Sequence, residues 1–365
     1  GKKGPEERPW IDITTPFWAL WNLPTYTIKK PSNALPLGIG QAEQYGFYKN
    51  VTNWSSVYDS DMVEELANPE RLLNGNIDFS FLVIFLLPLL FIILSYNIYG
   101  LESDMNFDKL IAIQSGSKPK WIFERLGFYT SALIATIILL ILVVGMVKKV
   151  MVMQILTLIF LSSIYIMIWA LVFYVLILKS KSSNTIAFKM ISIWLLFCVL
   201  IPGAVHQLAS IKYPANYMTD YLDANRKEAY EVFELSHDLL AAKLKNIYPN
   251  LESTQHGKDS IVNGELMNNT TSAIINQINK KAIAAIELQN DSKNDFIASS
   301  YWYNPISMMQ NKWNGITGND YSAYKTYRNE VQESIDKKIE LLVFECWDKK
   351  TVDKQVYKHY LKLLK

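Results

Sequence analysis

Residues 79–99 read FSFLVIFLLPLLFIILSYNIY, and none of them is charged. A helix rising about 1.5 Å per residue needs about 20 apolar residues to cross the hydrocarbon of a bilayer, and this run meets that length. Pro88 stands at its middle, where it removes one backbone hydrogen bond and kinks the helix. Three further uncharged runs follow, at residues 126–147, 150–178 and 190–211. The run at 150–178 is long enough to tilt or to extend beyond the bilayer. A soluble core helix is apolar along one stripe and polar elsewhere. Four helices apolar all round, packed into residues 79–211, would leave no polar face for water. The expected fold is therefore all-α: a polytopic transmembrane helix bundle with four visible spans.

Whole-chain composition hides this segregation. Charged residues make up 19% and hydrophobic residues 50%, with a formal net charge of +2, values an ordinary soluble enzyme could match. That balance gives no reason to expect nucleic acid as a partner. Cys198 lies inside an apolar run and Cys346 in a distant polar one, so two unpaired thiols are expected. The chain opens on Gly-Lys-Lys-Gly with no signal peptide.

Residues 1–78 form an extracytoplasmic segment, polar and broken by Pro9, Pro16, Pro24, Pro31 and Pro36. Trp10, Phe17, Trp18 and Trp21 suit either a membrane surface or the core of a small domain. Residues 100–125 turn polar, but Phe107, Leu110, Ile111 and Ile113 keep near-helical spacing, which predicts a short amphipathic surface helix. Lys148 and Lys149 make a tight hairpin, and residues 179–189 (KSKSSNTIAFK) a short basic loop. Residues 212–365 read as an extracytoplasmic helical domain, with apolar stripes at 218–247 and 265–289. A Gly/Asn-rich break at 314–319 precedes a last long helical stretch.

Lys and Arg in short loops mark the cytoplasmic side. Lys109, Lys118, Lys120, Arg125, Lys179, Lys181 and Lys189 lie on one side, against Arg71, Lys148, Lys149 and Lys212 on the other. The bias places 100–125 and 179–189 inside and both large polar segments outside. A long outer N-terminal segment leads to the expectation of a span before Gly1, and by the same argument of one after Lys365.

Catalytic motifs are missing. No Gly-x-x-x-x-Gly-Lys-[Ser/Thr] occurs, and His256-Gly257-Lys258-Asp259 lacks the first glycine and the hydroxyl residue. No His-Glu-x-x-His occurs. Glu234 and His237 stand three apart, a spacing that could share one helix face as a surface pair. His206 is an interfacial residue or, alternatively, a gate or proton group. No catalytic, cofactor-binding or metal-ligating residue is expected. The spans offer a membrane-embedded enzyme only Ser, Thr, Tyr, Asn, Gln and Cys198.

Three stretches carry a resemblance: NPERLLNGNIDFSFLVIFLLPLLFIILSYN at 68–97, LESDMNFDKLIAIQSGSKPKWIFERLGFY at 101–129, and WYNPISMMQNKWNGITGNDYSAYKTY at 302–327. The chain resembles permease subunits of ABC-2-type transporters, in the domain-of-unknown-function family grouped with multi-copper-enzyme-maturation permeases. It departs from that pattern at Asn106-Phe107, where the family has Gly-Thr, and at Ile316–Asp320, which only approximates Gly-Thr-Asp. The resemblance implies six spans, of which these are the second to fifth, in a bacterial inner-membrane complex. It implies ATP and Mg on a separate cytoplasmic ABC ATPase subunit, a second permease copy or homologous permease, and an extracytoplasmic partner protein. It also gives 102–114 a coupling role, carried by Glu102, Asp104, Phe107, Asp108, Leu110, Ile111 and Ile113. The competing expectation is a membrane anchor that presents its outer domain to a partner without transport.

Overall fold

The apolar runs fold as helices, and prolines and caps set where each begins and bends. The computed structural model describes residues 14–40, 47–58, 77–105, 107, 110, 113–114, 116–180, 182–214, 222–259 and 263–364. The N-terminal part contributes α1 (Pro16–Asn22) and an antiparallel pair, β1 (Tyr26–Ile28) with β2 (Tyr48–Asn50), in which Thr27 faces Lys49. The first apolar helix, α2 (Phe79–Ser95), leads through a turn to α3 (Gly100–Asp104). Then come α4 (Lys118–Lys148), α5 (Val152–Leu178) and α6 (Ser183–Lys212). These last three are long and apolar enough to cross a membrane, as a membrane protein requires.

The expected spans shift at their ends. Expected at 79–99, α2 stops at Ser95 and is 17 residues long, about 25 Å, just short of a typical hydrocarbon core. Pro119 opens α4 in its first turn, where a missing N–H costs nothing, so the helix starts eight residues ahead of the expected 126. Ser182 caps α6 by accepting from Thr185 N, so most of the expected basic loop 179–189 is helical. Between α4 and α5 the chain reverses at Lys149, which adopts φ 53, and Val150 N bonds Gly145 O at 3.0 Å. That is the tight hairpin the lysine pair predicts.

Pro88 and Pro202 each follow a widened π turn, at Leu82–Leu86 and Leu196–Leu200. A proline ring crowds the carbonyl four residues back and offers it no N–H. At Pro88, α5 and α6 supply the donors. Tyr165 Oη donates to Ile84 O at 2.6 Å, and Trp194 Nε1 donates to Phe85 O at 3.0 Å. Hydroxyls at Thr130, Thr136, Thr157, Ser162 and Ser163 bond back to carbonyls of their own helices. These polar groups are thereby satisfied without water.

The polar part continues with α7 (Leu222–Phe233), α8 (His237–Ile247), α9 (Gly264–Thr270) and α10 (Ser272–Ser299). It ends with α11 (Pro305–Thr317), α12 (Tyr321–Trp347) and α13 (Lys354–Leu363). The expected break at 314–319 is the turn where Gly318, at φ 73, ends α11 and Asp320 caps α12.

Both polar parts fold together. Lys338 on α12 has 0% exposure, and its Nζ donates to Leu23 O at 3.0 Å, Thr25 Oγ1 at 3.1 Å and Val51 O at 2.8 Å. Glu287 on α10 takes Arg328 Nε at 2.8 Å and Tyr58 Oη at 2.5 Å, and Tyr321 Oη lies 3.0 Å from it. Of the N-terminal aromatics, Phe17 packs partly against α12 and α13, while Trp18 and Trp21 are exposed. Trp10 lies outside the described residues.

This polar unit sits on one end of the bundle. Trp313 on α11, 0% exposed, shares a core with Phe91, Ile141 and Phe173 of the apolar helices. Its Nε1 donates to Leu37 O at 2.7 Å. Gln154 Nε2 reaches Ile316 O at 2.8 Å, and Asn33 Nδ2 reaches Lys149 O at 3.2 Å. The α2–α4 connection and the α5–α6 turn lie at the opposite end, joined through Ser183.

Candidate coupling end of the bundle

The expected coupling residues lie where α2, α4 and α6 all end. The backbone comes first: Gly100 passes so close to α6 that a Cβ there would lie 2.4 Å from Ser183 Cα. Side chains then fasten the approach. Ser183 Oγ lies 2.7 Å from Asp104 Oδ2 and 2.9 Å from Asn97 Oδ1. Ser183 N, one of the helix-start donors with no intrahelical partner, lies 3.4 Å from the same Asp104 oxygen. An acidic side chain at a helix start is favoured by the dipole.

A second fastening joins α3 to α4. Arg125 Nη1 bonds Glu102 Oε1 at 2.6 Å and Ile98 O at 3.3 Å. The Arg125 guanidinium stacks 4.6 Å over the Trp121 ring, and Lys118 Nζ lies 3.5 Å over the Tyr99 ring. Tyr99 and Trp121 meet edge to face at 6.4 Å. Two cations and two rings thus hold the turn on the start of α4.

Asp104, itself exposed, lies against Ser183 within the chain, and Glu102 pairs with Arg125. The apolar stripe is different. Phe107, Leu110 and Ile113 are 53%, 55% and 80% exposed. Leu110, Ile113 and Gln114 are helical, in keeping with the expected surface helix. Asp108 and Ile111 lie outside the described residues. Gly100, Asn97 and Ser183 were missed as site residues. Only the Trp121/Arg125 spacing of four within a basic helix start was available to flag the second fastening.

Between these elements an open cleft of 620 Å³ is lined by Leu94, Glu102, Trp121, Glu124, Arg125 and Phe128, among others. Glu234 and His237 do not share a helix, because the chain breaks between α7 and α8. His256 Nδ1 and Lys349 Nζ hold Asp259 at 2.7 and 3.2 Å, and these hydrogen bonds, His256 first, keep its carboxyl below the usual range. His206 is exposed on α6. Cys198 and Cys346 are free thiols. Among the described residues no group of three His, Cys, Asp or Glu could hold a metal ion. No protein-family model, no curated protein and no solved structure matches this chain.

Proposed function

We propose that the chain is the membrane-spanning permease subunit of an ABC transporter in a bacterial inner membrane. On this reading a separate cytoplasmic ATPase binds the 102–114 segment, and its hydrolysis drives export or mechanical work on an extracytoplasmic partner. A second permease copy or a homologous permease completes the pathway. One observation carries the reading: an exposed apolar stripe, Phe107, Leu110 and Ile113, adjoins a turn fastened to the ends of α4 and α6. A partner pushing on that stripe acts on both helices at once. At the other end Trp313 shares the bundle's core, so helix movement reaches the polar domain.

The test is a double substitution, Leu110→Asp with Ile113→Asp. Each buried aliphatic contact is worth roughly 1.5–3 kcal/mol, so the pair should lower ATPase affinity by two orders of magnitude or more. Membrane insertion should be unchanged, because both side chains lie outside the apolar helices. Co-purified ATPase and stimulated hydrolysis are the readouts. Wild-type values for both would refute the assignment of this segment. A wild-type chain that retains an outer partner and no ATPase would favour the anchor.

A further inference from the structure

Residues 296–311 (FIASSYWYNPISMMQN) carry no charge, although they lie within the polar part between Asp295 and Lys312. They form the end of α10, the start of α11 and the turn between them. On one side of the turn, Phe296, Ile297 and Tyr301 share a small core with Ile201, Val205 and Ala209 of α6. On the other, α11 packs against Leu196–Leu200 of the same helix, and its Ile306 and Met309 enter the bundle core. The turn therefore lies beside α6, short of that helix's end at Lys212, rather than beyond it. At about 1.5 Å per residue, Ile201 is roughly 16 Å short of Lys212. The polar groups of the turn bond one another. Asn304 N and Tyr303 N donate to Ser300 O at 2.9 and 3.0 Å. The buried Asn304 side chain caps α11, accepting from Ser307 N at 3.3 Å and donating to Ser307 Oγ at 2.8 Å. Pro305 brings no N–H to satisfy. Facing outward are Trp302, 85% exposed, and Tyr303, which meet edge to face at 4.8 Å.

We infer that this turn is seated in the bilayer leaflet nearest the polar unit, with Trp302 and Tyr303 at the boundary between headgroups and acyl chains. Irregular backbone at that depth needs its polar groups satisfied within the protein, and the bonds around Ser300 and Asn304 meet that need. Trp and Tyr favour the boundary because the ring meets lipid while its N–H or O–H meets water. His206 and Gln207, exposed on α6 about a turn above Ile201, put the boundary near the level of the turn. Val199 and Leu200, exposed on the side away from Lys212, continue the apolar surface. Lys212 Nζ lies 5.3 Å over both the Tyr213 and Phe296 rings and keeps its charge on the water side. An exposed apolar patch marks contact with a protein or a membrane, and continuity with the apolar face of α6 decides for the membrane. The polar unit thus stands partly in the bilayer. The inference rests on the apolar helices lying in a bilayer and is independent of any ATPase.

Single nitroxide labels on the full chain in phosphatidylcholine vesicles test it. The sites are Trp302→Cys, Leu288→Cys earlier on α10, and Met167→Cys near the middle of α5, all three exposed. The unmutated chain gives the background from Cys198 and Cys346. Collisional accessibility to oxygen, which concentrates in lipid, is compared with that to a water-soluble nickel chelate. The oxygen-to-nickel ratio at 302 should approach that at 167 and exceed that at 288 severalfold. A lipid-like ratio at 167 with a water-like ratio at 302 overturns this inference alone. A water-like ratio at 167 overturns the membrane reading and this inference with it. A label at 302 shielded from both probes would mean that protein covers the turn, and overturns the inference as well. A second measurement keeps the native ring: lipids brominated near the headgroup should quench a larger fraction of tryptophan fluorescence in the unmutated chain than in Trp302→Phe, and equal fractions overturn the proposal.

Discussion

Replacing Gly100 by alanine puts a methyl group 2.4 Å from Cα and Oγ of Ser183 and 2.6 Å from its N. Two of those atoms are backbone and cannot swing aside, so the turn has to retreat from α6 by about 1 Å to reach ordinary contact. Asp104 and Asn97 retreat with it and lose Ser183 Oγ, now at 2.7 and 2.9 Å. Overpacking costs about 1–3 kcal/mol. Loss of a hydrogen bond to a charged group adds about 1.5 kcal/mol, the low end, because the bond is exposed. The variant should lose about 2.5–4.5 kcal/mol, seen as a lower unfolding temperature of the full chain in detergent. Gly127 is the internal control. It lies in α4 with nothing within 4 Å of its added Cβ, so Gly127→Ala should be neutral or stabilising by up to about 1 kcal/mol. If Gly100→Ala unfolds at the same temperature as Gly127→Ala, the close approach of turn and α6 is wrong, and the proposed transmission of force with it.

Two further substitutions address the polar unit. Trp313→Ala removes a fully buried ring from the seam with the bundle and its bond to Leu37 O; it should cost about 3–5 kcal/mol and speed proteolysis between the two parts, and an unchanged digestion rate would contradict the docking. Asp291 is held below the usual carboxylate range, first by its hydrogen bond from Lys325 and then by Tyr321. A carboxyl with a depressed folded pKa stabilises above its unfolded value, about 3.9, and loses that contribution as pH falls through the folded value. Thermal unfolding should therefore weaken below about pH 4, and Asp291→Asn should flatten that acid limb by less than about 1 kcal/mol, because the pair is partly exposed. Identical acid limbs in the two proteins would refute the assignment.

The helical class and the position of each apolar helix were legible in charge absence alone, because a run such as 150–178 has no polar face to hide. Their ends were less so. Charge marks where a side chain meets water, whereas a helix stops where its backbone caps, and Ser182 capping α6 put Lys189 inside a helix that charge had excluded. Pro88 announced a disturbance, but the Tyr165 hydroxyl that answers it comes from a helix 81 positions away, which no local pattern displays. The apolar stripe of the coupling segment was readable from spacing. Its fastening was not, since Gly100 and Ser183 meet only after two intervening helices have folded back.

The three acceptors around Lys338 also set a clock. Val51 is 287 residues ahead of that lysine in the chain. At about 5–20 residues per second, roughly 15–60 s of synthesis separate the two. Throughout that interval α1 and the β1–β2 pair exist without the helix that fills their inner side. Leu20, Leu23 and Val51, all buried in the finished fold, stay uncovered, beside a two-stranded ribbon whose edges invite other strands. A waiting period this long leaves the N-terminal part open to wrong association before Lys338 arrives. It also makes yield, rather than melting temperature, the property most sensitive to changes in residues 16–58.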